Sequence, residues 1–422
     1  MKISKIIRFL LYLVIPFSIA GPIILNFDMG SFSLFPSRIL SIVLFLTLIM
    51  ILPMQRFRIF YHKLYVKNYL YFIFFGFFYA TISILWCKFP ILGIKNLFLF
   101  LNVLFIFFLT ILYLDSEEKQ KVLLTGIVIL LVATFIFSTR EYYFGIYTQP
   151  SIFNATKLPV VKLNPAEMHV KSRVTGGFYN PNGYGTFLAL FLPVIFSYFV
   201  RRKNLKKVCR TIFTGVCVVG ICWLFLTTSR ANIFAFFIMV LLYFTLIFKL
   251  KGKVQFAIFA LIVGIFFWHQ ISWLLPNSLF RAGRSIIDEA TIVRWSIFRN
   301  NLIAFVHSYG LGVGPGILQL YGDPHNWYTE ILFQFGPLVF VGYIIFYLSL
   351  LVELFKVQQK SLNGLKYLAE GLFISLAGYS IGCLSDSSRL LAYDSWAIFA
   401  MSICVINIYR RQKYSNISTT NL

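Results

Sequence analysis

The feature that most constrains this chain is a succession of apolar runs, each of roughly 18 to 22 residues and nearly free of charge. At about 1.5 Å per helical residue, such a run crosses the hydrocarbon core of a bilayer. Lipid offers no partner to a backbone N–H or C=O, so only helices or a closed barrel can span it. Barrel strands alternate polar and apolar residues, and unbroken runs exclude that pattern. Hydrophobic residues make up 59% of the chain and charged residues 12%, more apolar surface than a water-soluble fold could cover. The expected fold class is therefore all-α, a polytopic membrane helical bundle.

Runs between polar breaks lie near 7–26, 38–54, 69–87, 95–114, 121–139, 183–200, 211–229, 231–248, 254–275, 326–355, 365–385 and 394–409, which predicts about 12 transmembrane helices. The opening stretch has the basic head and apolar centre of a secretory signal, but its apolar run continues past Gly21 to Phe27, which favours an uncleaved first span. Short cytoplasmic loops carry an excess of Lys and Arg. With the amino terminus inside, segments 2–8, 56–67, 119–121, 201–210, 249–253, 356–366 and 410–413 hold most of the 38 basic residues, and both termini face the cytoplasm. The net charge of +24 then follows from topology and attraction to anionic headgroups, and no nucleic-acid partner is expected. The inner loops hold no P-loop or GxGxxG, which argues against an ATP-driven pump or a nucleotide-sugar enzyme. Six cysteines lie in or beside apolar segments without a CxxC pair or a neighbouring His, so they read as packing residues, and neither a metal nor another cofactor is expected. No internal repeat is evident, and the chain reads as a single membrane domain, 1–422, with two long extracytoplasmic loops, 140–182 and 276–325.

Unusual polar residues gather in those loops and at one hairpin. The first loop ends in Arg173-Val174-Thr175-Gly176-Gly177-Phe178-Tyr179-Asn180-Pro181-Asn182, whose Gly and Asn-Pro favour tight turns that hold Arg173 near the membrane surface. A snorkelling Arg beside a helix cap is an equally weighted reading. Thr227-Thr228-Ser229-Arg230-Ala231 joins two runs with almost no loop, so Arg230 sits at membrane depth, where an ionisable group is a functional candidate by default. In the second loop, 285–307 is an amphipathic stretch with Ile287, Ile292, Trp295, Phe298 and Leu302 on its apolar face and Arg284, Arg294 and Arg299 supplying charge, expected to lie along the interface. Gly310-Leu311-Gly312-Val313-Gly314-Pro315-Gly316 could present backbone N–H groups to a phosphate, although a plain re-entrant bend is the simpler explanation.

Asp323-Pro324-His325-Asn326-Trp327-Tyr328-Thr329-Glu330 reads as a helix start whose dipole Glu330 complements. The imidazole of His325 at the outer mouth of a bundle can take a proton from a hydroxyl near neutrality, with a structural role as the equal alternative. The span count puts Arg173, Arg230, Arg294 and His325, from four distant stretches, on the outer side at membrane depth. Arginines that grip phosphate oxygens bidentately, together with one base, suit a diphosphate leaving group and an acceptor hydroxyl.

These residues resemble the O-antigen ligase and polymerase superfamily of bacterial surface-polysaccharide proteins. The likeness rests on Arg173 with Gly176-Gly177-Phe178 and Asn180-Pro181-Asn182, on Ser229-Arg230, on Arg294-Trp295 leading to the Gly310–Gly316 segment, and on His325-Asn326 with Gly336. The resemblance implies a metal-independent, inverting glycosyl transfer at the outer face of the bacterial cytoplasmic membrane. The donor would be an undecaprenyl-diphosphate-linked glycan and the acceptor a saccharide or glycolipid, with other polysaccharide-assembly membrane proteins as further partners. It also implies that Arg173, Arg230 and Arg294 hold the diphosphate and His325 is the base, while Asn180, Asn182, Ser229, Gly314, Asn326 and Glu330 line the substrate site. Ligases tend to place Gly, Thr or Tyr where Val339 stands here, and this departure leans the reading toward a polymerase.

Two rivals belong to other classes. A flippase for lipid-linked oligosaccharides should carry ionisable residues and broken helices near mid-span, whereas these runs are nearly charge-free. A non-catalytic scaffold for polysaccharide export would tolerate loss of both Arg230 and His325.

Overall fold

The structure is a computed structural model that describes residues 2–20, 27–28, 33–34, 36–49, 64–148, 173–202, 204–247, 254, 289–322, 324, 326–384 and 389–420. Its elements are α1 (Lys2–Ala20), α2 (Pro36–Ile49), α3 (Lys67–Ile82, extended by a 3-10 turn, Ser83–Trp86), α4 (Pro90–Tyr113) and α5 (Glu117–Phe144). There follow α6 (Pro181–Ile195, extended by a π turn, Phe196–Val200), α7 (Lys207–Leu226), α8 (Arg230–Leu242, extended by a π turn, Tyr243–Ile247) and α9 (Glu289–His307). The chain closes with α10 (Trp327–Lys360), α11 (Asn363–Gly382) and α12 (Tyr393–Thr420). The strand pairing among the described residues is one two-residue antiparallel contact, Phe27–Asp28 with Ser33–Leu34.

A helix overlies every expected run except 254–275, of which 255–275 lie outside the described residues. Among the described residues, 7 helices are long and apolar enough to cross a membrane: α3 with its turn, α4, α5, α6 with its turn, α7, α8 with its turn, and α10. α2 is only 14 residues long. This is the architecture of a multi-pass helical membrane protein. All six cysteines are free, and Cys87, Cys217, Cys383 and Cys404 are buried as packing residues.

Local chemistry sets the helix ends. Ser116 caps α5 by accepting from the Lys119 amide, with Glu117 and Glu118 in the first turn, where acidic groups meet the positive end of the dipole. Proline occupies the first turn of α4 and α6, where its missing N–H has no helical partner to lose. α6 is the centre of the bundle: 83% of its apolar window is buried, against 17% for α7, which lies at the edge. α11 packs on α6, α8 and α10, and α12 packs on α4. Ile129, Ile136, Val208, Ile345 and Leu348 remain exposed on the outer faces, as side chains that meet lipid rather than water would be.

The short connections separate two ends. At the basic end, α4 meets α5, α6 meets α7, and α10 meets α11, and the amide of Tyr65 bonds Asn407. At the opposite end, hereafter the mouth, lie Trp86, Glu141, the Gly176 turn, the Ser229 hairpin, the start of α10 and the end of α11.

Candidate active site

The first component of the mouth is a carboxylate that the sequence reading passed over. Glu141 sits in the last turn of α5, where the carbonyl end of the dipole disfavours an anion. It is 1% exposed and accepts four hydrogen bonds: from the Thr175 amide (2.5 Å), the Thr175 hydroxyl (2.7 Å), the Gly176 amide (2.8 Å) and the Gly177 amide (3.0 Å). Gly176 and Gly177 have φ of 57° and 86°, the left-handed geometry that turns successive amides toward one anion. A side chain at Gly176 would also strike the ring of Tyr184 at 2.5 Å. The Tyr147 hydroxyl donates to the Arg173 carbonyl at 3.1 Å, and burial, with Glu141 nearby, pushes that phenol up to about 12. The carboxylate of Glu141 thereby fixes the backbone that presents Arg173, whose side chain is exposed.

That segment is joined to the α7–α8 hairpin by the Val174 amide, which donates to the Leu226 carbonyl at 3.4 Å. The hairpin turns at Thr228, with φ of 54°, and delivers Arg230 as the first residue of α8, its side chain exposed. Neither Arg173 nor Arg230 forms an ion pair with another described residue. Below Arg230 lies Asn232, 1% exposed. Its amide donates to Ser229 Oγ (2.9 Å) and the Asn182 carbonyl (3.0 Å), and its Oδ1 accepts from Thr186 (3.1 Å). Asn232 thus ties the start of α8 to the start of α6. A Cβ on Gly382, at the end of α11, would lie 3.0 Å from Asn232 Oδ1, so α11 ends against the same clamp.

The start of α10 reaches the same place, because the Trp327 amide donates to the Cys383 carbonyl (2.9 Å) and the Tyr328 hydroxyl to the Ser380 carbonyl (2.8 Å). Helix starts of α6, α8 and α10 therefore surround the end of α11. The carbonyl-bearing helix ends beside them are closed locally, Leu226 by Val174 and Cys383 by Trp327. The positive dipole ends of three helices, with two exposed guanidinium groups, make the mouth a region of positive potential.

Several residues expected to line the substrate site have local partners. Asn180 caps α6 through the Gly183 amide (2.7 Å), and Asn326 caps α10 through the Tyr328 and Thr329 amides (3.0 and 3.2 Å). Ser229 receives Asn232, and Asn182 offers its carbonyl to the same amide. Glu330, 4% exposed, accepts from Gln334 Nε2 at 2.9 Å, and Gln334 Oε1 accepts from the Gly316 amide at 3.0 Å.

The glycine segment is a bend, not a free anion nest. Gly336 breaks α10 with φ 77° and ψ 173°, and Pro337 has no N–H to return to Phe333. The carbonyls of Phe333 and Gln334 are instead taken by the amides of Val313 (2.9 Å) and Gly314 (3.0 Å), and the Gly312 amide goes to Ser308 Oγ (3.1 Å). A Cβ at Gly312 would stand 2.4 Å from the Gln334 oxygen, so the bend needs glycine there.

α9 follows the expected apolar face only in part. Phe298 and Phe305 point inward onto Phe333 (ring centroids 5.7 and 5.3 Å), and Asn301 is buried, while Trp295 and Leu302 are exposed. Arg294 lies on α9, with its side chain outside the described residues, as is His325 altogether. A second charged feature missed in the sequence is Arg389, buried between α11 and α12 and paired with Asp394 at 3.1 and 3.2 Å. With Trp327 and Tyr379 it lines an apolar cavity of about 70 Å³. Among the described residues no group of three or more His, Cys, Asp or Glu is placed to hold a metal ion.

The chain is 26% identical to the teichuronic acid biosynthesis protein TuaE of Bacillus subtilis (strain 168), in an alignment of 439 residues covering 97% of this chain and 86% of that protein. No family model matches the chain.

Proposed function

We propose that this chain is a glycosyltransferase of surface-polysaccharide biosynthesis, acting as a polymerase in preference to a ligase, on undecaprenyl-diphosphate-linked glycan at the outer face of the bacterial cytoplasmic membrane. The similarity to TuaE along almost the whole chain supports the process. The observation that carries the chemistry is the mouth, where Arg173 and Arg230 stand exposed and without a described ion-pair partner beside the amide ends of α6, α8 and α10. In this reading all the expected crossings form one membrane domain, both termini and the basic end face the cytoplasm, and the mouth faces outward.

Arg173, Arg230 and Arg294 hold the diphosphate, and the planar fork of each guanidinium pairs with two phosphate oxygens. His325 takes the proton of the acceptor hydroxyl, whose oxygen attacks the anomeric carbon from the face opposite the diphosphate. The bond from that carbon to the diphosphate oxygen breaks with inversion, and the arginines stabilise the charge that collects on the leaving group. No metal is required for these steps. Asn180, Asn182, Ser229, Gly314, Asn326 and Glu330 act by shaping the mouth through the bonds described above. Partners are the lipid-linked donor, a saccharide or glycolipid acceptor, the bilayer and other polysaccharide-assembly proteins.

Deleting the gene tests this directly. The expected result is accumulation of single repeat units on the lipid carrier, reversed by the wild-type gene and not by Arg230→Ala. Accumulation of long lipid-linked polymers would identify a ligase, and normal surface glycan in the deletion would overturn the reading.

A further inference from the structure

The mouth has a second concavity, in a different sector from Arg173 and Arg230. It lies between the 3-10 turn after α3, the outer part of α9 and the glycine bend, and its volume is about 520 Å³. That falls within the range of about 300–1,000 Å³ typical of small-molecule sites. Its floor is Val313 and Ile317, both buried. Trp86 is held rigidly in its wall, because its indole N–H donates to the Gly312 carbonyl at 2.8 Å and Tyr79 meets its ring edge-on at 6.1 Å. Tyr321 supplies a second aromatic ring. Lys88, Asn300 and His307 also line it; none of the three side chains has a hydrogen bond or ion pair with another described residue, and the Lys88 ammonium lies 5.6 Å from the centre of the Phe89 ring. Among the described residues no carboxylate belongs to the lining.

We propose that this groove binds an acidic oligosaccharide, the acceptor end of the glycan in the reaction proposed above, on which the assignment of its role rests. Aromatic rings offer flat apolar faces to the C–H faces of sugar rings, and the amide and imidazole groups match ring hydroxyls. A lipid chain would not use those polar groups, and a neutral sugar would not use Lys88. The ammonium of Lys88, which faces no carboxylate among the described lining residues, selects a sugar carboxylate through a charge-assisted hydrogen bond. The position fits an acceptor. The bend that forms the floor is bonded through Gln334 to Glu330 in the first turn of α10, whereas the two exposed arginines lie against α5 to α8.

The test uses the full chain in lipid nanodiscs and a tetrasaccharide of alternating glucuronic acid and N-acetylglucosamine, beside its carboxyl-reduced neutral counterpart. Wild type should bind the acidic probe about tenfold or more tighter than the neutral one, the worth of one charge-assisted bond. Lys88→Gln should bring the two dissociation constants together, Tyr321→Ala should weaken both, and Arg230→Ala should change neither. The proposal is overturned by binding of neither probe, by equal binding of both to wild type, or by a preference that survives Lys88→Gln and disappears in Arg230→Ala. Should the protein fail to join glycans while Lys88-dependent binding persists, the transferase reading falls and the saccharide site stands.

Discussion

Arginines at the basic end of this bundle and the two exposed arginines at its mouth differ in how their charge is met. At the basic end four arginines meet acidic groups: Arg202 bonds Glu117 at 2.8 Å, Arg410 bonds Glu353 at 2.9 Å, Arg411 bonds Asp115 at 3.3 Å, and Arg201 pairs with Glu370, whose side chain is fully buried. These contacts tie α5 to α6, α10 to α12 and α6 to α11, so the charges there serve as fastenings. At the mouth the nearby carboxylate, Glu141, is occupied by three amides and a hydroxyl, and Arg173 and Arg230 are left exposed. Satisfying an acid with backbone N–H groups keeps the arginines available for an anion brought from outside. Among the described residues Glu370 is the fully buried acid inside a helix toward the basic end, and its Oε1 is held by Arg201 and Ser197.

The sharpest way to break this comparison is to truncate both arginines in turn. Arg230→Ala and Arg173→Ala should each lower polymer yield by about 100-fold or more, as loss of a charged transition-state donor does, at unchanged protein level. Equal yields from wild type and both variants would remove the distinction between the ends. Next in size is Glu141→Gln. Its amide would set an NH2 against the donors of Thr175 to Gly177, so the loop presenting Arg173 should loosen and yield should fall about tenfold, with a lowered melting temperature. Unchanged activity would separate Glu141 from the site.

At the basic end Arg202→Ala should behave otherwise. Both partners are partly exposed, so the loss of stability should be about 0.5–1 kcal/mol, and activity should stay within about twofold. The smallest effect concerns pH. Burial by itself would raise the Asp115 carboxyl, but Lys119 and Arg411 hold it below its ordinary value. Its contribution to stability is therefore complete above its unfolded pKa and is lost as pH falls through the depressed folded pKa. Asp115→Asn should melt lower than wild type at pH 7, and the gap should close only below the ordinary carboxylate range.

The helical framework was legible because long apolar runs and local signals agree: Asn180-Pro181 and Asn326 mark helix starts in the sequence and cap them in the structure. Expecting about 12 crossings went further than the helices that meet the length and apolarity of a span. Partners far apart in sequence were not legible. Glu141 and Asn232 are single polar residues near helix ends, and their meaning depends on amides and carbonyls 34 and 50 residues away. The signal available for Glu141 was an acid at the wrong end of a helix dipole, which needs donors from elsewhere. The Gly310–Gly316 segment could be read as a turn, but its amides were committed by a break in another helix, at Gly336 and Pro337. Of the apolar face expected for α9, Phe298 packs on Phe333 while Trp295 and Leu302 are exposed, and Phe305, outside that face, also meets Phe333, a contact that helical periodicity cannot supply.

The most direct measurement conserves charge at both ends. Wild type, Arg230→Lys and Arg202→Lys are reconstituted in vesicles with undecaprenyl-diphosphate-linked repeat units, and chain length is read on a gel. Because an ammonium lacks the planar fork that grips a diphosphate, Arg230→Lys should leave single repeats while wild type and Arg202→Lys make polymer. Full polymerisation by Arg230→Lys, or movement of labelled glycan across the vesicle membrane by wild type with no joining, would contradict the account.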